Sequence, residues 1–106
     1  MQFNLSTEHI TLGATDLQLM EEKMDRLEKM LHPPFIIDVR LSHDKHHRQG
    51  QVITCRFNIK QSGEVFHAER SSDTVQNAVD LTLAATKKEL LKFQDKRKQG
   101  RAKNSR

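Results

Sequence analysis

QVITCRFNIKQSGEVFHAER, residues 51–70, decides the fold class. Its first ten residues alternate. Ile53, Cys55, Phe57 and Ile59 share one face, and Thr54, Arg56, Asn58 and Lys60 share the other. That is the period of a half-buried strand. Gln61-Ser62-Gly63-Glu64 interrupts the alternation with residues that favour tight turns. Residues 65–70 then return, with Phe66 and Ala68 toward the core. The stretch predicts an antiparallel hairpin with one apolar and one polar face.

Upstream, residues 35–42 repeat the pattern. Phe35, Ile37, Val39 and Leu41 point one way, and Ile36, Asp38, Arg40 and Ser42 the other. The two strands are joined by the polar segment HDKHHRQG, residues 43–50. Pro33 and Pro34 end a helix predicted over residues 16–31, because neither offers an N–H and each restricts its predecessor. Leu17, Met20, Met24, Leu27 and Leu31 recur at spacings of three and four, which makes one apolar stripe. Thr15 and Gln18 match a capping box at its start. Residues 2–6 alternate as a short strand through Phe3 and Leu5, and residues 7–14 form a link containing Gly13.

Downstream, residues 74–98 read as a long helix capped by Asp73 or Thr74. Val75, Ala78, Val79, Thr82, Thr86, Leu90 and Phe93 form its apolar stripe, and the last turns run on past that stripe. The order is β-α-β-β-β-α. Each strand has one apolar face, so the expected fold class is α+β, a four-stranded sheet with two helices packed on one face. Residues 1–98 are expected to form a single domain and residues 99–106 a basic, flexible tail.

The chain has 106 residues, of which 30% are charged, and a formal net charge of +4. A domain of this size buries a modest core and favours a binding face over a deep catalytic cavity. The opening MQFNLSTEHI lacks the basic start and apolar run of a secretory signal. No stretch approaches the ~20 apolar residues that span a bilayer. The lone Cys55 excludes an internal disulfide and fits a reducing compartment. These features predict a cytoplasmic protein with no membrane contact.

The charge is uneven. Residues 87–106 hold nine Lys and Arg against Glu89 and Asp95, whereas the remainder is mildly acidic. A basic extension on an acidic body is an electrostatic footprint for a polyanion. Lys23 and Arg26 lie three apart on one side of the first helix, and Lys29 extends them. Lys88, Lys92 and Lys96 are four apart on the second, about 6 Å per step, a scale comparable with phosphates along a nucleic-acid strand. Lys87, Arg97 and Lys98 widen that row. The lack of Tyr and Trp argues against a base-stacking platform for single strands, and structured RNA read by shape is the expected target.

Catalytic signatures are missing: no Gly-rich phosphate loop, no C-x-x-C and no H-E-x-x-H. Cys55 alternates with Ile53 and Phe57 as a small buried hydrophobe. His43, His46 and His47 with Asp44 offer metal-ligating types, but Lys45 and Arg48 beside them repel a cation. No enzyme activity, metal or cofactor is expected, and the free protein is expected to be a monomer.

Several segments resemble the bacterial ribosome-hibernation factors, the short hibernation-promoting and ribosome-associated inhibitor proteins. They are Met1-Gln2-Phe3-Asn4-Leu5, Lys23-Met24-Asp25-Arg26-Leu27-Glu28, Gly63-Glu64 with His67-Ala68, and Ala78-Val79-Asp80 at the family's A-I-D signature. Lys88, Leu90, Lys92, Asp95-Lys96 and Lys98 match its basic end. The resemblance covers residues 2–98. It implies binding to small-subunit rRNA in the decoding channel and silencing of idle ribosomes in stationary phase or stress. It also implies the short form, acting with a separate ribosome-pairing factor or simply blocking ribosomes. The charge pattern and the resemblance together give Lys23, Arg26, Lys87, Lys88, Lys92, Lys96, Arg97 and Lys98 as the expected RNA-contacting residues. A general double-stranded-RNA-binding module is the alternative, since helix, three strands, helix is also its order. That module places cations at the start of its second helix, where this chain reads Asp73-Thr74-Val75-Gln76-Asn77.

Overall fold

The computed structural model describes residues 3–44 and 52–104, with side chains as far as Phe93. The strands are β1 (Asn4–Glu8), β2 (Phe35–Asp44), β3 (Val52–Gln61) and β4 (Glu64–Ser72), and the helices are α1 (Ala14–Glu28) and α2 (Val75–Asn104). The sheet order is β1-β2-β3-β4. β1 pairs with β2 in parallel, through the α1 crossover, and the other two pairings are antiparallel. This is the expected β-α-β-β-β-α fold.

Register places the apolar residues together. Leu5, Val39, Phe57 and Ala68 form one row across all four strands. Ile37, Ile59 and Phe66 form the next. Both helices cover this face. Met20, Met24 and Leu27 of α1 are fully buried, and so are Ala78 and Val79 of α2. The ring of Phe93 meets Phe66 edge-on, with centroids 5.2 Å apart. Two threonines sit inside α2's buried stripe and satisfy their own hydroxyls. Thr82 donates to the Ala78 carbonyl at 2.7 Å, and Thr86 donates to the Thr82 carbonyl at 2.8 Å. Their polarity therefore costs little in the core.

The turn after β3 has a specific backbone reason. Ser62 and Gly63 both hold positive φ, 50° and 83°. That is the two-residue hairpin whose twist matches the flanking strands.

Some boundaries differ from the sequence reading. β1 runs from Asn4 to Glu8 rather than over residues 2–6. Its later residues, Ser6, Thr7 and Glu8, are polar, so the strand is made by main-chain pairing to Arg40, Leu41 and Ser42 and not by an apolar pattern. α1 starts at Ala14, with Gly13 as its cap. The Gly13 N–H donates to the Asp16 carboxylate at 3.3 Å, so Asp16 takes the role expected of Gln18. Leu17, expected on the apolar stripe, is 44% exposed. α2 is capped by Thr74, whose hydroxyl accepts from the Asn77 N–H at 3.1 Å. Its stripe also includes Leu83, and the helix extends beyond residue 98 to Asn104.

Candidate nucleic-acid interface

β1, β2 and β4 run in one direction, and each helix starts where β1 or β4 ends. Both helices therefore begin at the same end of the sheet and run back along it side by side. Their outward surfaces form one face of the molecule. The polar face of the sheet forms the other.

On α1 the charges segregate in part, with the exposed Glu22 one turn before Arg26. The helix has five acids and only two cations, Lys23 and Arg26. Glu21, Asp25 and Glu28, spaced four and three apart, share one flank. Glu21 lines a groove with Phe3, Leu5, Phe35 and Ile36, so that flank faces the β1 edge of the sheet. Lys23 and Arg26 share the opposite flank, toward α2. Arg26 is exposed, as is Lys29 just after the helix. Lys23 is different. Its side chain is only 17% exposed, and its Nζ lies 2.8 Å from Oδ1 of Asp80 on α2. Sequence reading grouped Lys23 with the free cations, because nothing in a linear pattern reveals a partner 57 positions away.

On α2, Lys87 is half-buried, and Lys88 and Lys92 are exposed. Lys92 approaches Glu89 only at 3.8 Å, with both side chains more than half exposed. Ion pairs of that kind contribute about 0–1 kcal/mol and leave the ammonium available. Leu81 and Leu91 are exposed on the same helix, at 48% and 52%. Lys96, Arg97 and Lys98 belong to α2. Across its length α2 has eight Lys and Arg against three acids.

The sheet's polar face is electrically mixed. Ser6, Arg40, Arg56 and Glu69 form one row, and Asn4, Asp38, Asn58 and His67 the next. Arg40 is paired with Glu8, and this guanidinium holds the Glu8 carboxyl below the usual carboxylate range by hydrogen bonding and charge. Asn4 donates to Asp38 at 2.8 Å. Acids thus offset cations here, whereas on the helices the excess of cations is confined to the C-terminal part of α2.

His43 and Asp44 close β2, beside His9 and Glu8 at the end of β1. His46 and His47 lie outside the described residues. Among the described residues no group of three or more His, Cys, Asp and Glu is placed to hold a metal. Burial pushes the Cys55 thiol up to about 11, which makes it a poor nucleophile. No helix among the described residues is long and apolar enough to cross a membrane.

Known proteins share this architecture. No curated protein matches the chain in sequence. A ribosomal subunit interface protein from Coxiella burnetii superposes with a TM-score of 0.73 at 19% identity, over 90% of this chain and 99% of that one. The N-terminal domain of Thermus thermophilus Protein Y superposes with a TM-score of 0.70 at 14% identity, over 88% of this chain and 99% of that one. At such identities the likeness shows a shared fold. The model of the family described as sigma 54 modulation protein / S30EA ribosomal protein matches residues 3–98.

Proposed function

Because the chain belongs to the sigma 54 modulation protein / S30EA ribosomal protein family, we propose that it is a ribosome-hibernation factor. In this reading it binds small-subunit rRNA in the decoding channel and silences idle ribosomes in the cytoplasm. The contacts are made by Arg26, Lys87, Lys88, Lys92, Lys96, Arg97 and Lys98, with Lys23 beside them. Residues 1–98 act as the ribosome-binding domain, and 99–106 as a basic tail. It acts with a separate ribosome-pairing factor or simply blocks ribosomes by itself.

One observation carries the reading. α2 holds eight Lys and Arg against three acids, with Lys88 and Lys92 exposed on it, and Arg26 and Lys29 are exposed on and just after α1. On α1 the acids Glu21, Asp25 and Glu28 are turned to the other flank, and Glu22 is exposed one turn before Arg26. Lysine and arginine on a convex helical surface neutralise phosphates and release counterions, which gives affinity with little sequence choice. The order of elements also suits a double-stranded-RNA module, but the first turn of α2 has no cation.

Competition separates the two. Labelled small subunits are bound at moderate salt, and either unlabelled small subunits or a long RNA duplex is added. The proposal expects displacement of the protein by subunits at concentrations where the duplex has no effect. Equal displacement by both would favour the general duplex binder.

A further inference from the structure

We infer that Lys23 acts as a positioning residue and not as a phosphate contact: through Asp80 it clamps α1 against α2 and so sets the spacing between two rows of cations. The inference rests on the ribosome-binding reading for its target, and the clamp itself stands on geometry.

A lysine that serves a phosphate must present its ammonium to solvent. Lys23 does not. Its side chain is 17% exposed and its Nζ is 2.8 Å from Asp80 Oδ1. Three positions on, Arg26 is exposed. The pair is also the described salt bridge that joins the two helices, since the others link β1 to β2, or lie within β1's end or within α2.

Position gives the clamp its consequence. Both helices start from the same end of the sheet, so the residues after Lys23 and after Asp80 run in the same direction. By helical rise, Arg26 lies about 4–5 Å beyond Lys23, and Lys29 about 9 Å beyond it. Lys87 and Lys88 lie roughly 10–12 Å beyond Asp80 on the other helix. Of these, Lys87 lies almost in line with Asp80 along α2 and so borders the seam, with Lys88 outward of it, and the ion pair ties the level of Arg26 and Lys29 to theirs. α1 is otherwise an acidic helix, and rotation about its axis would bring Glu22 and Asp25 toward the polyanion in place of Arg26. An RNA strand has fixed phosphate spacing, so a loosened seam weakens several contacts at once without removing any cation.

The test is a set of variants read by small-subunit binding across a salt series and by urea unfolding. Lys23→Ala and Asp80→Asn are each expected to weaken binding about fivefold, with the slope of log affinity against log salt unchanged. A double variant, Lys23→Ala with Asp80→Ala, should be no weaker than either single one, and should share their urea midpoint. Exchange of the charges, Lys23→Asp with Asp80→Lys, should restore most of the affinity and the midpoint. The inference is overturned if Asp80→Asn binds as well as or better than the parent while Lys23→Ala lowers the slope by about one, because Lys23 then serves a phosphate directly. Should the parent protein fail to bind small subunits, the functional reading falls. The clamp is then judged by unfolding alone: additive effects of the two single changes refute it, and coupling with rescue by charge exchange supports it.

Discussion

Reversing two charges on α2 tests the interface at its best-defined point. Lys88 and Lys92 are exposed and lie off the buried stripe of Ala78, Val79, Thr82, Leu83, Thr86 and Leu90. Within the protein, Lys88→Glu with Lys92→Glu removes the 3.8 Å approach of Lys92 to Glu89, worth about 0–1 kcal/mol. New like-charge neighbours on the helix add a few tenths of a kcal/mol. The urea midpoint should thus move little. Binding should move a great deal. Each neutralised phosphate contributes roughly 0.7–0.9 to the salt slope, so two phosphates left without their lysines lower the slope by about 1.4–1.8. At about 0.1 M salt that corresponds to roughly 25- to 60-fold in affinity, before the added repulsion is counted. The assay is filter binding to purified small subunits over a salt series, with circular dichroism of the free variant alongside. A folded variant with unchanged affinity and slope would refute the assignment of this row and move the interface to another surface, such as Arg56 and Lys60 of the sheet.

Other outcomes follow from the fold. Leu27→Ala removes a fully buried side chain between α1 and the sheet, and should cost about 2–5 kcal/mol in urea unfolding. Gly63→Ala places a Cβ in open space but at a φ of +83°, so its cost of roughly 1–2 kcal/mol is conformational, to be measured by thermal melting. The Cys55 thiol is raised by burial to about 11 from an ordinary 9.0. Between these values the folded protein holds a proton that the unfolded chain releases. Its contribution to stability is intact below pH about 9 and is lost as pH rises toward 11. Urea midpoints at successive pH values should show this decline, and Cys55→Ala should flatten it.

The sheet was legible because its strands alternate. Ile53, Cys55, Phe57 and Ile59 repeat every second residue, and one face must then be buried. The turn was legible because Ser-Gly tolerates the backbone that a tight hairpin needs. β1 was misplaced by two residues because half of it is polar and paired only at one edge, so it depends on main-chain hydrogen bonds that leave no side-chain signature. Gly13-x-x-Asp16 and Thr15-x-x-Gln18 both offered a start to α1, and local pattern does not rank them. The candidate cations were legible as a composition and a spacing. What was not legible was their state. Lys23 and Arg26 look alike in sequence, yet one is held by Asp80 and the other is exposed, because that difference depends on how two distant helices pack.

Ribosome binding is tested most directly by where the protein goes in a ribosome preparation. The measurement is sedimentation of the purified protein with separated small and large ribosomal subunits at several salt concentrations. Comigration with the small subunit, declining steeply as salt rises, is the predicted result. Migration with the large subunit only, or a folded protein left at the top of the gradient at moderate salt, would contradict it.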